Sequence, residues 1–202
     1  GSTGRPKGVS VRHRNVMALL AWAKQALADD EIERMLLSTS ICFDVSVFEL
    51  FVPLSRGKTV VLVDDLLALV TPLETAPTIV GGVPSALSEL LRHVELPTSV
   101  RTVVSAGEPL RRDLVARLAA QPGVTRVLEC YGPTETTVFA TAGDRYPDGP
   151  ETIGAPIAGW RAQIVDAQDR PLPVGEVGEL LIGGAGVTAG YLGRPELNAE
   201  RF

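Results

Sequence analysis

The chain has 202 residues, of which 45% are hydrophobic and 21% are charged. This composition is typical of a globular protein that buries a core, and it excludes a disordered tail. The 19 Lys and Arg residues against 24 Asp and Glu residues give a formal net charge of -5. Because proteins that bind a nucleic-acid backbone usually carry a basic excess, we expect no nucleic-acid partner. No apolar run approaches the roughly 20 residues that span a bilayer, so we expect no membrane partner and a cytoplasmic location.

The first part of the chain alternates between helical and strand patterns. Apolar residues recur at helical spacing between Asn15 and Ala28, which predicts an amphipathic helix. Apolar runs then predict strands over 35–37, 59–63, 78–80, 102–104 and 124–128, with helices over 46–54, 86–94 and 111–120. Strands interleaved with helices predict an α/β fold with a largely parallel sheet flanked by helices.

Beyond Asp144 the sequence is punctuated by Pro, Gly and Asp. Apolar segments at 161–165 and 177–182 predict antiparallel strands, joined through the turn at 168–171. We therefore expect an α/β unit over residues 1–143 and a smaller β-rich unit over 144–202. The chain begins in a turn-rich run and stops at Phe202 with no closing element, so we expect it to be a fragment.

The opening run, GSTGRPKG, combines hydroxyls, glycines and a cation. Ser2, Thr3, Gly4 and Lys7 together suit a loop that wraps around polyphosphate, because glycine permits close approach of the backbone. The spacing differs from that of a P-loop, since Lys7 is followed by Gly8 instead of Ser or Thr. An ordinary surface turn is an equally good interpretation of the run taken alone.

Asp44 lies between Phe43 and Val45, immediately before a predicted helix. An unpaired carboxylate among apolar neighbours is costly unless a cation or a hydrogen-bond donor meets it, which indicates a ligand site. The alternative is that Asp44 caps the N-terminus of the helix. From these residues alone, both interpretations stay open.

Two further segments follow predicted strands, where open α/β sheets bind their ligands. Gly107 and Glu108 come after the strand at 102–104, although an ordinary strand-to-helix turn explains them equally well. The run 131–137 follows the strand at 124–128 and contains Tyr131, a Gly-Pro turn, hydroxyls and a carboxylate. An aromatic ring can stack on a base, hydroxyls can donate to phosphate, and a carboxylate can bind Mg²⁺. The glycine-rich runs 178–184 and 190–192 are interpreted as structural.

The order of four motifs carries more information than any one of them. STGRPKG, FDVSVFELF, YGPTET and GELLIGGAGVTAGYL in this order resemble the adenylate-forming superfamily, most closely the amino-acid adenylation domains of nonribosomal peptide synthetases. The resemblance implies that an amino-acid carboxylate attacks the α-phosphate of ATP and releases pyrophosphate. The aminoacyl adenylate would then pass to the phosphopantetheine thiol of a peptidyl carrier protein, in some systems with a small helper protein.

The resemblance also implies a role for each motif residue. Residues Ser2, Thr3, Gly4 and Lys7 would hold the β- and γ-phosphates. Tyr131 would stack on adenine opposite the turn formed by Gly107, Glu108 and Pro109. Thr134 would contact the α-phosphate, and Glu135 would bind Mg²⁺, so that Lys7, Thr134 and Glu135 form the catalytic set. In this family the mobile C-terminal domain supplies a further lysine, so we expect the isolated chain to turn over negligibly.

Under the same resemblance, Asp44 would pair with the α-ammonium group of the substrate, which favours the ligand interpretation over the cap. The implied pocket consists of Asp44, Val45, Phe48, Gly81, Val104, Ala106, Cys130, Val138 and Phe139, with Gly82 as the alternative to Gly81. Apart from Asp44 this set carries no charge, so we predict an apolar or weakly polar amino acid.

Two competing functions stay open at this point. A carboxylate-CoA ligase of the same superfamily would share the phosphate-binding motifs, but it would have no need for an acid at Asp44. A non-catalytic binding fragment would show no magnesium-dependent affinity for ATP.

Overall fold

A computed structural model of the protein describes residues 7–202. The predicted phosphate-binding residues Ser2, Thr3 and Gly4 lie outside this range. The helices are α1 (His13–Ala26), α2 (Val45–Leu54), α3 (Pro84–His93), α4 (Arg112–Ala119) and α5 (Pro195–Arg201), with 3₁₀ helices at Leu66–Val70 and Thr134–Thr136. The strands are β1 (Arg34–Leu37), β2 (Thr59–Leu62), β3 (Ile79–Gly82), β4 (Thr102–Ala106), β5 (Arg126–Tyr131), β6 (Thr141–Asp144), β7 (Ala155–Pro156), β8 (Trp160–Val165) and β9 (Glu179–Gly184). Within residues 7–202, no helix combines the length and the apolarity needed to cross a membrane.

Residues 7–202 contain two β-sheets. The larger sheet has seven strands in the order β2-β1-β3-β4-β5-β6-β7. Strands β1 to β5 are parallel, whereas β6 and β7 join in antiparallel fashion. Strands β8 and β9 form a separate antiparallel pair. The prediction of a largely parallel sheet followed by a small antiparallel unit is confirmed.

Strands β6 and β7 have no counterpart among the predicted elements. Their sequences, TAGD and AP, are short and contain little apolar alternation, so they give no strand signal. They form because β5 has an edge opposite β4 whose backbone groups pair with β6, and β6 in turn pairs with β7. The expected junction at residue 143 therefore falls within β6, and the two-stranded sheet begins at Trp160.

The large sheet has a hydrophobic core on each face. Met35, Ile79, Val104 and Leu128 point to the face covered by α1 and α2. Their chain neighbours Leu36, Val80, Val103 and Val127 point to the opposite face, which is covered by α3 and α4. This explains why the parallel strands are continuous apolar runs, since both sides of each strand are buried.

The chain changes direction across the sheet between β1 and β3. From β1 it passes through α2 to the edge strand β2, and from β3 it passes through α3 to β4 in the other direction. Strands β1 and β3 pair at one position, Met35 with Ile79, so they diverge toward their carboxyl ends. Open α/β sheets bind ligands in the crevice that forms at such a reversal.

The core on the α3 and α4 face can be tested at Leu118, which is 0% exposed. We expect Leu118→Ala to lower the free energy of unfolding by about 2–5 kcal/mol, because it removes buried methyl groups and leaves a cavity. Urea denaturation followed by circular dichroism measures the change. Leu62→Ala is the matched control, since Leu62 is 74% exposed, and it should change the free energy by less than about 1 kcal/mol. Equal losses in the two variants would contradict this description of the core.

Candidate functional site

A cavity of about 60 Å³ lies where β1 and β3 diverge. It is bordered by Thr39, which follows β1, by the glycines that end β3, and by the last residue of β4. Its wall contains a large part of the implied pocket, namely Val45, Phe48, Gly81, Val104, Ala106 and Phe139. Gly82 lines it as well. The sheet reversal therefore brings together members of the implied pocket that range from Val45 to Phe139 along the chain.

Three aromatic rings support one side of this cavity. The ring centroids of Phe48 and Phe139 are 5.1 Å apart with the planes at 67°, and Trp22 lies 6.3 Å and 6.2 Å from them. Phe48 and Phe139 are 2% and 1% exposed. Edge-to-face contacts of this kind fix ring orientation. The two Phe residues therefore form a rigid part of the cavity wall.

Phe139 reaches this position through a strained turn. Thr137 and Val138 have φ angles of 64° and 67°, which β-branched residues seldom adopt. The Thr137 hydroxyl donates to the Gly186 carbonyl at 2.6 Å, and the Ala140 amide donates to the Tyr131 carbonyl at 2.7 Å. These bonds hold the unfavourable backbone in place, and Phe139 then faces the core.

Asp44 and Val138 border a second opening, together with Thr134 and apolar residues of α1. Asp44 is half-buried and occupies the N-cap position of α2. Its side chain accepts no capping hydrogen bond from the described residues of the helix. Asp44 therefore stands at the cap position without acting as a cap, and among residues 7–202 its carboxylate has no hydrogen bond or ion pair.

Tyr131 and the turn formed by Gly107, Glu108 and Pro109 border a third opening, as the adenine hypothesis requires. Tyr131 is 40% exposed at the end of β5. Glu108 accepts hydrogen bonds from the Ser85 amide at 3.0 Å and the Ser85 hydroxyl at 2.8 Å, which fixes the turn to the start of α3. The turn and the tyrosine thus form two sides of one opening.

Cys130 borders this third opening and not the cavity between β1 and β3. The side chain is 2% exposed and belongs to the core. Burial raises the pKa of the Cys130 thiol, so the sulfur stays neutral at ordinary pH. Among the implied pocket residues, Asp44, Val138 and Cys130 are therefore the ones that the fold places outside the cavity.

Lys7 and Glu135 are in direct contact, with Nζ 3.3 Å from Oε1. The Tyr191 hydroxyl joins both groups, because it accepts from Lys7 Nζ at 3.1 Å and donates to Glu135 Oε1. The hydrogen bond with Tyr191 raises the pKa of Lys7, with Glu135 adding to the effect. Burial alone would raise the pKa of Glu135, but hydrogen bonds from Tyr191 and Lys7 outweigh it and lower that pKa. The pair is therefore held as carboxylate and ammonium.

Glu135 is the carboxylate that the family resemblance implies as a ligand of Mg²⁺ bound to a nucleotide. Its side chain is 22% exposed, and residues 7–202 contain no cluster of three or more His, Cys, Asp or Glu that could hold a metal by itself. Mg²⁺ usually takes one or two carboxylates and completes its shell with substrate phosphates and water. A single accessible carboxylate beside a cation fits this pattern.

The cavity wall also contains a charged group that sequence analysis missed. Glu49 lines the cavity and is 2% exposed. Its carboxylate accepts hydrogen bonds from the Ser38 amide at 3.2 Å, the Thr39 amide at 3.0 Å and the Thr39 hydroxyl at 2.9 Å. Burial raises the pKa of Glu49 despite these donors. The available signal was a lone carboxylate inside the apolar helix VSVFELFVPL.

The expectation that Asp44 alone brings charge to this site is therefore corrected. The Ser38 and Thr39 donors occupy the Glu49 carboxylate and attach α2 to the end of β1. Glu49 has its hydrogen bonds satisfied by the protein itself, so it does not require a charged partner from a ligand.

Comparisons with known proteins find relatives in sequence and in fold. A family model described as "AMP-binding enzyme" matches residues 1–192. One of the linear gramicidin synthase proteins of Brevibacillus parabrevis is 45% identical over 205 residues, which covers 100% of this chain and 4% of that protein. A four-domain nonribosomal peptide synthetase bound to AMP and glycine is 28% identical with a TM-score of 0.83, over 97% of this chain and 15% of that one. ATP-bound MatB from Rhodopseudomonas palustris is 25% identical with a TM-score of 0.84, over 100% of this chain and 41% of that one.

The raised pKa of Glu49 predicts a pH dependence of stability. Because the folded chain holds the Glu49 proton more tightly than the unfolded chain, the Glu49 carboxyl should make the free energy of unfolding decline as pH rises above about 4.5, the ordinary value of its pKa. In Glu49→Gln this decline should be smaller, since the amide has no proton to release and the Thr39 hydroxyl can accept from it. Urea denaturation between pH 4 and 8 measures the difference.

Glu74→Gln is the matched control, because Glu74 is exposed. Its stability profile should run parallel to that of the unchanged chain. A Glu49→Gln profile that is equally parallel would contradict the buried, proton-retaining carboxyl.

Proposed function

Because the chain belongs to the family of AMP-binding enzymes, we propose that it activates an amino acid with ATP, forming an aminoacyl adenylate and pyrophosphate. The adenylate would load the phosphopantetheine thiol of a peptidyl carrier protein in nonribosomal peptide synthesis. The observation that carries this proposal is the carboxylate of Asp44, which makes no capping bond and directly precedes the cavity-lining Val45. The gramicidin synthase relative and the synthetase bound to AMP and glycine support an amino acid as the substrate class.

The amino acid would bind with its ammonium group at Asp44 and its side chain in the cavity. A charge-assisted contact of this kind is worth about 1.5–3 kcal/mol, which favours amino acids over plain acids by roughly one to two orders of magnitude. The rings of Phe48 and Phe139 limit the length of the side chain, while Gly81 and Ala106 leave lateral space. Since Glu49 is already satisfied by protein donors, an apolar or weakly polar side chain suits the cavity.

The nucleotide would bind across the third opening and the Lys7–Glu135 pair. Tyr131 would stack on adenine against the Gly107 turn, and Thr134 would hydrogen-bond to the α-phosphate. Lys7 would hold the β- and γ-phosphates together with the predicted Ser2, Thr3 and Gly4, which lie outside the described residues. Mg²⁺, when bound at Glu135 with the nucleotide, neutralises phosphate charge.

The reaction needs the substrate carboxylate in line with the pyrophosphate leaving group. One carboxylate oxygen would form the new bond to the α-phosphorus while the bond from that phosphorus to pyrophosphate breaks. Thr134 would hold the α-phosphate, and Lys7 would stabilise the charge that accumulates on the leaving group. The contribution of the protein is therefore mainly orientation and charge stabilisation.

We extend the proposal to the surroundings of the chain. Residues 1–143 would carry the phosphate loop, the substrate pocket and the adenine site, and residues 144–202 would be the β-rich part of the same core. The chain spans 4% of the gramicidin synthase relative and 15% of the four-domain synthetase, so carrier domains would lie elsewhere in the assembly. A cytoplasmic location remains a prediction from the hydropathy pattern, and a small helper protein remains a prediction of the family resemblance.

The role of Asp44 is tested by exchange of labelled pyrophosphate into ATP, measured on the full-length protein across a panel of amino acids. We expect exchange with an apolar amino acid, and Asp44→Asn should lower kcat/KM about 10- to 100-fold because the ammonium loses its counter-ion. Asp64→Asn is the matched control at an exposed position and should leave kcat/KM unchanged. If plain carboxylic acids supported exchange and Asp44→Asn retained it, a carboxylate-CoA ligase would replace the proposed function.

The role of Tyr131 is tested by calorimetric titration with AMP. Base stacking on an aromatic ring is worth about 1–3 kcal/mol, so Tyr131→Ala should weaken AMP binding roughly 5- to 150-fold. Tyr146→Ala is the control, because Tyr146 is 63% exposed and does not line the third opening. Unaltered AMP affinity in Tyr131→Ala would exclude the stacking role.

A further inference from the structure

The glycine-rich segment after β9, residues 185–192, connects distant parts of the site. The amide of Asn15, which is 1% exposed, donates to the carbonyls of Ala185 at 2.7 Å and Val187 at 3.1 Å. The Thr188 amide donates to the Glu135 carbonyl at 2.9 Å. From the sequence, the runs 178–184 and 190–192 are interpreted as structural, but Thr188, which lies between them, is hydrogen-bonded to the residue that is predicted to bind Mg²⁺.

The same segment pairs with the stretch that follows the predicted phosphate loop. The Ser10 amide donates to the Gly190 carbonyl at 2.8 Å, and the Leu192 amide donates to the Gly8 carbonyl at 2.9 Å. An isolated antiparallel bridge joins Val9 to Tyr191. The position of Lys7 is therefore set by its pairing with the segment that carries Tyr191.

Tyr191 itself is held by contacts that do not involve its hydroxyl. The side chain is 5% exposed, and its ring packs edge-to-face on Phe202 at 5.5 Å. The Tyr191 amide donates to Asn198 Oδ1 at 2.7 Å, and Asn198 Nδ2 donates back to the Tyr191 carbonyl at 3.1 Å. Within the described residues, the hydroxyl has two partners, Lys7 and Glu135.

We propose that Tyr191 is a positioning residue that holds the Lys7 ammonium and the Glu135 carboxylate in the arrangement needed for the triphosphate and its metal ion. This inference rests on the proposed function. The Lys7 and Glu135 side chains are 35% and 22% exposed, and an ion pair at that exposure is weakly ordered by charge alone. A fixed hydroxyl between the two groups, with the Lys7 ammonium 4.4 Å from the ring centroid, orders both of them before the nucleotide arrives.

ATP with Mg²⁺ and AMP would share the adenine site, but loss of the Tyr191 hydroxyl should affect their binding differently. ATP with Mg²⁺ carries the β- and γ-phosphates and the metal ion, so its binding uses Lys7 and Glu135. AMP lacks the β- and γ-phosphates and the metal ion, so its binding uses Tyr131 and Thr134. Loss of the Tyr191 hydroxyl should therefore weaken the binding of ATP with Mg²⁺ selectively, which a general loss of structure would not do.

The test is calorimetric titration of the full-length protein with ATP plus Mg²⁺ and, separately, with AMP. We expect Tyr191→Phe to weaken the binding of ATP with Mg²⁺ about tenfold, the effect of one hydrogen bond to charged groups, and to leave AMP affinity unchanged. In pyrophosphate exchange, the KM for ATP should rise with no change in the KM for the amino acid. Tyr146→Phe at an exposed position is the matched control and should alter neither affinity.

The outcomes distinguish the inference from the function on which it rests. Equal weakening of both nucleotides in Tyr191→Phe would assign Tyr191 a general structural role and overturn the inference. Unaltered binding of ATP with Mg²⁺ would overturn it as well, while leaving the proposed function in place. If the unchanged protein bound neither nucleotide, the proposed function would fail and the inference with it.

Discussion

The divergence of β1 and β3 is the constraint on which the rest of the site depends. The two strands share one paired position, Met35 with Ile79, because their connections lead to opposite edges of the sheet. The chain leaves them in opposite directions, which opens a gap at their carboxyl ends. Side chains at the start of α2 and in the turn before β6 close this gap, so the cavity wall is built from segments far apart in the chain.

Polar side chains with fixed partners keep this open edge in one conformation. Glu49 joins α2 to the end of β1, and Glu108 joins the adenine-side turn to the start of α3. Both carboxylates accept amide and hydroxyl donors that would otherwise be left without partners at strand ends and helix starts. Burial of the Glu49 carboxylate without such donors would be costly, so its bonds fix the position of α2 against the end of β1.

Strain is located next to the predicted catalytic segment. Thr137 and Val138 adopt left-handed backbone angles directly after the 3₁₀ helix that contains Thr134 and Glu135. The Thr137 hydroxyl and the Thr188 amide connect this turn to the glycine-rich segment after β9. The β-rich part of the chain therefore stabilises a backbone that the α/β part alone would relax, which explains how two sheets contribute to one site.

The amino-acid sequence by itself determined the elements with strong local periodicity, the α/β class and the order of the motifs, because these depend on spacing within about one helix or strand. The family resemblance that the motifs carry implied six residues that line the cavity: Val45, Phe48, Gly81, Val104, Ala106 and Phe139. Tertiary structure alone decided that Asp44, Val138 and Cys130 lie outside the cavity, that Glu49 lies inside it, and that Tyr191 meets Glu135. Tyr191 and Glu135 are separated by 56 residues, and no periodicity reports a contact over that distance, because the topology of the sheet and the pairing of loops create it.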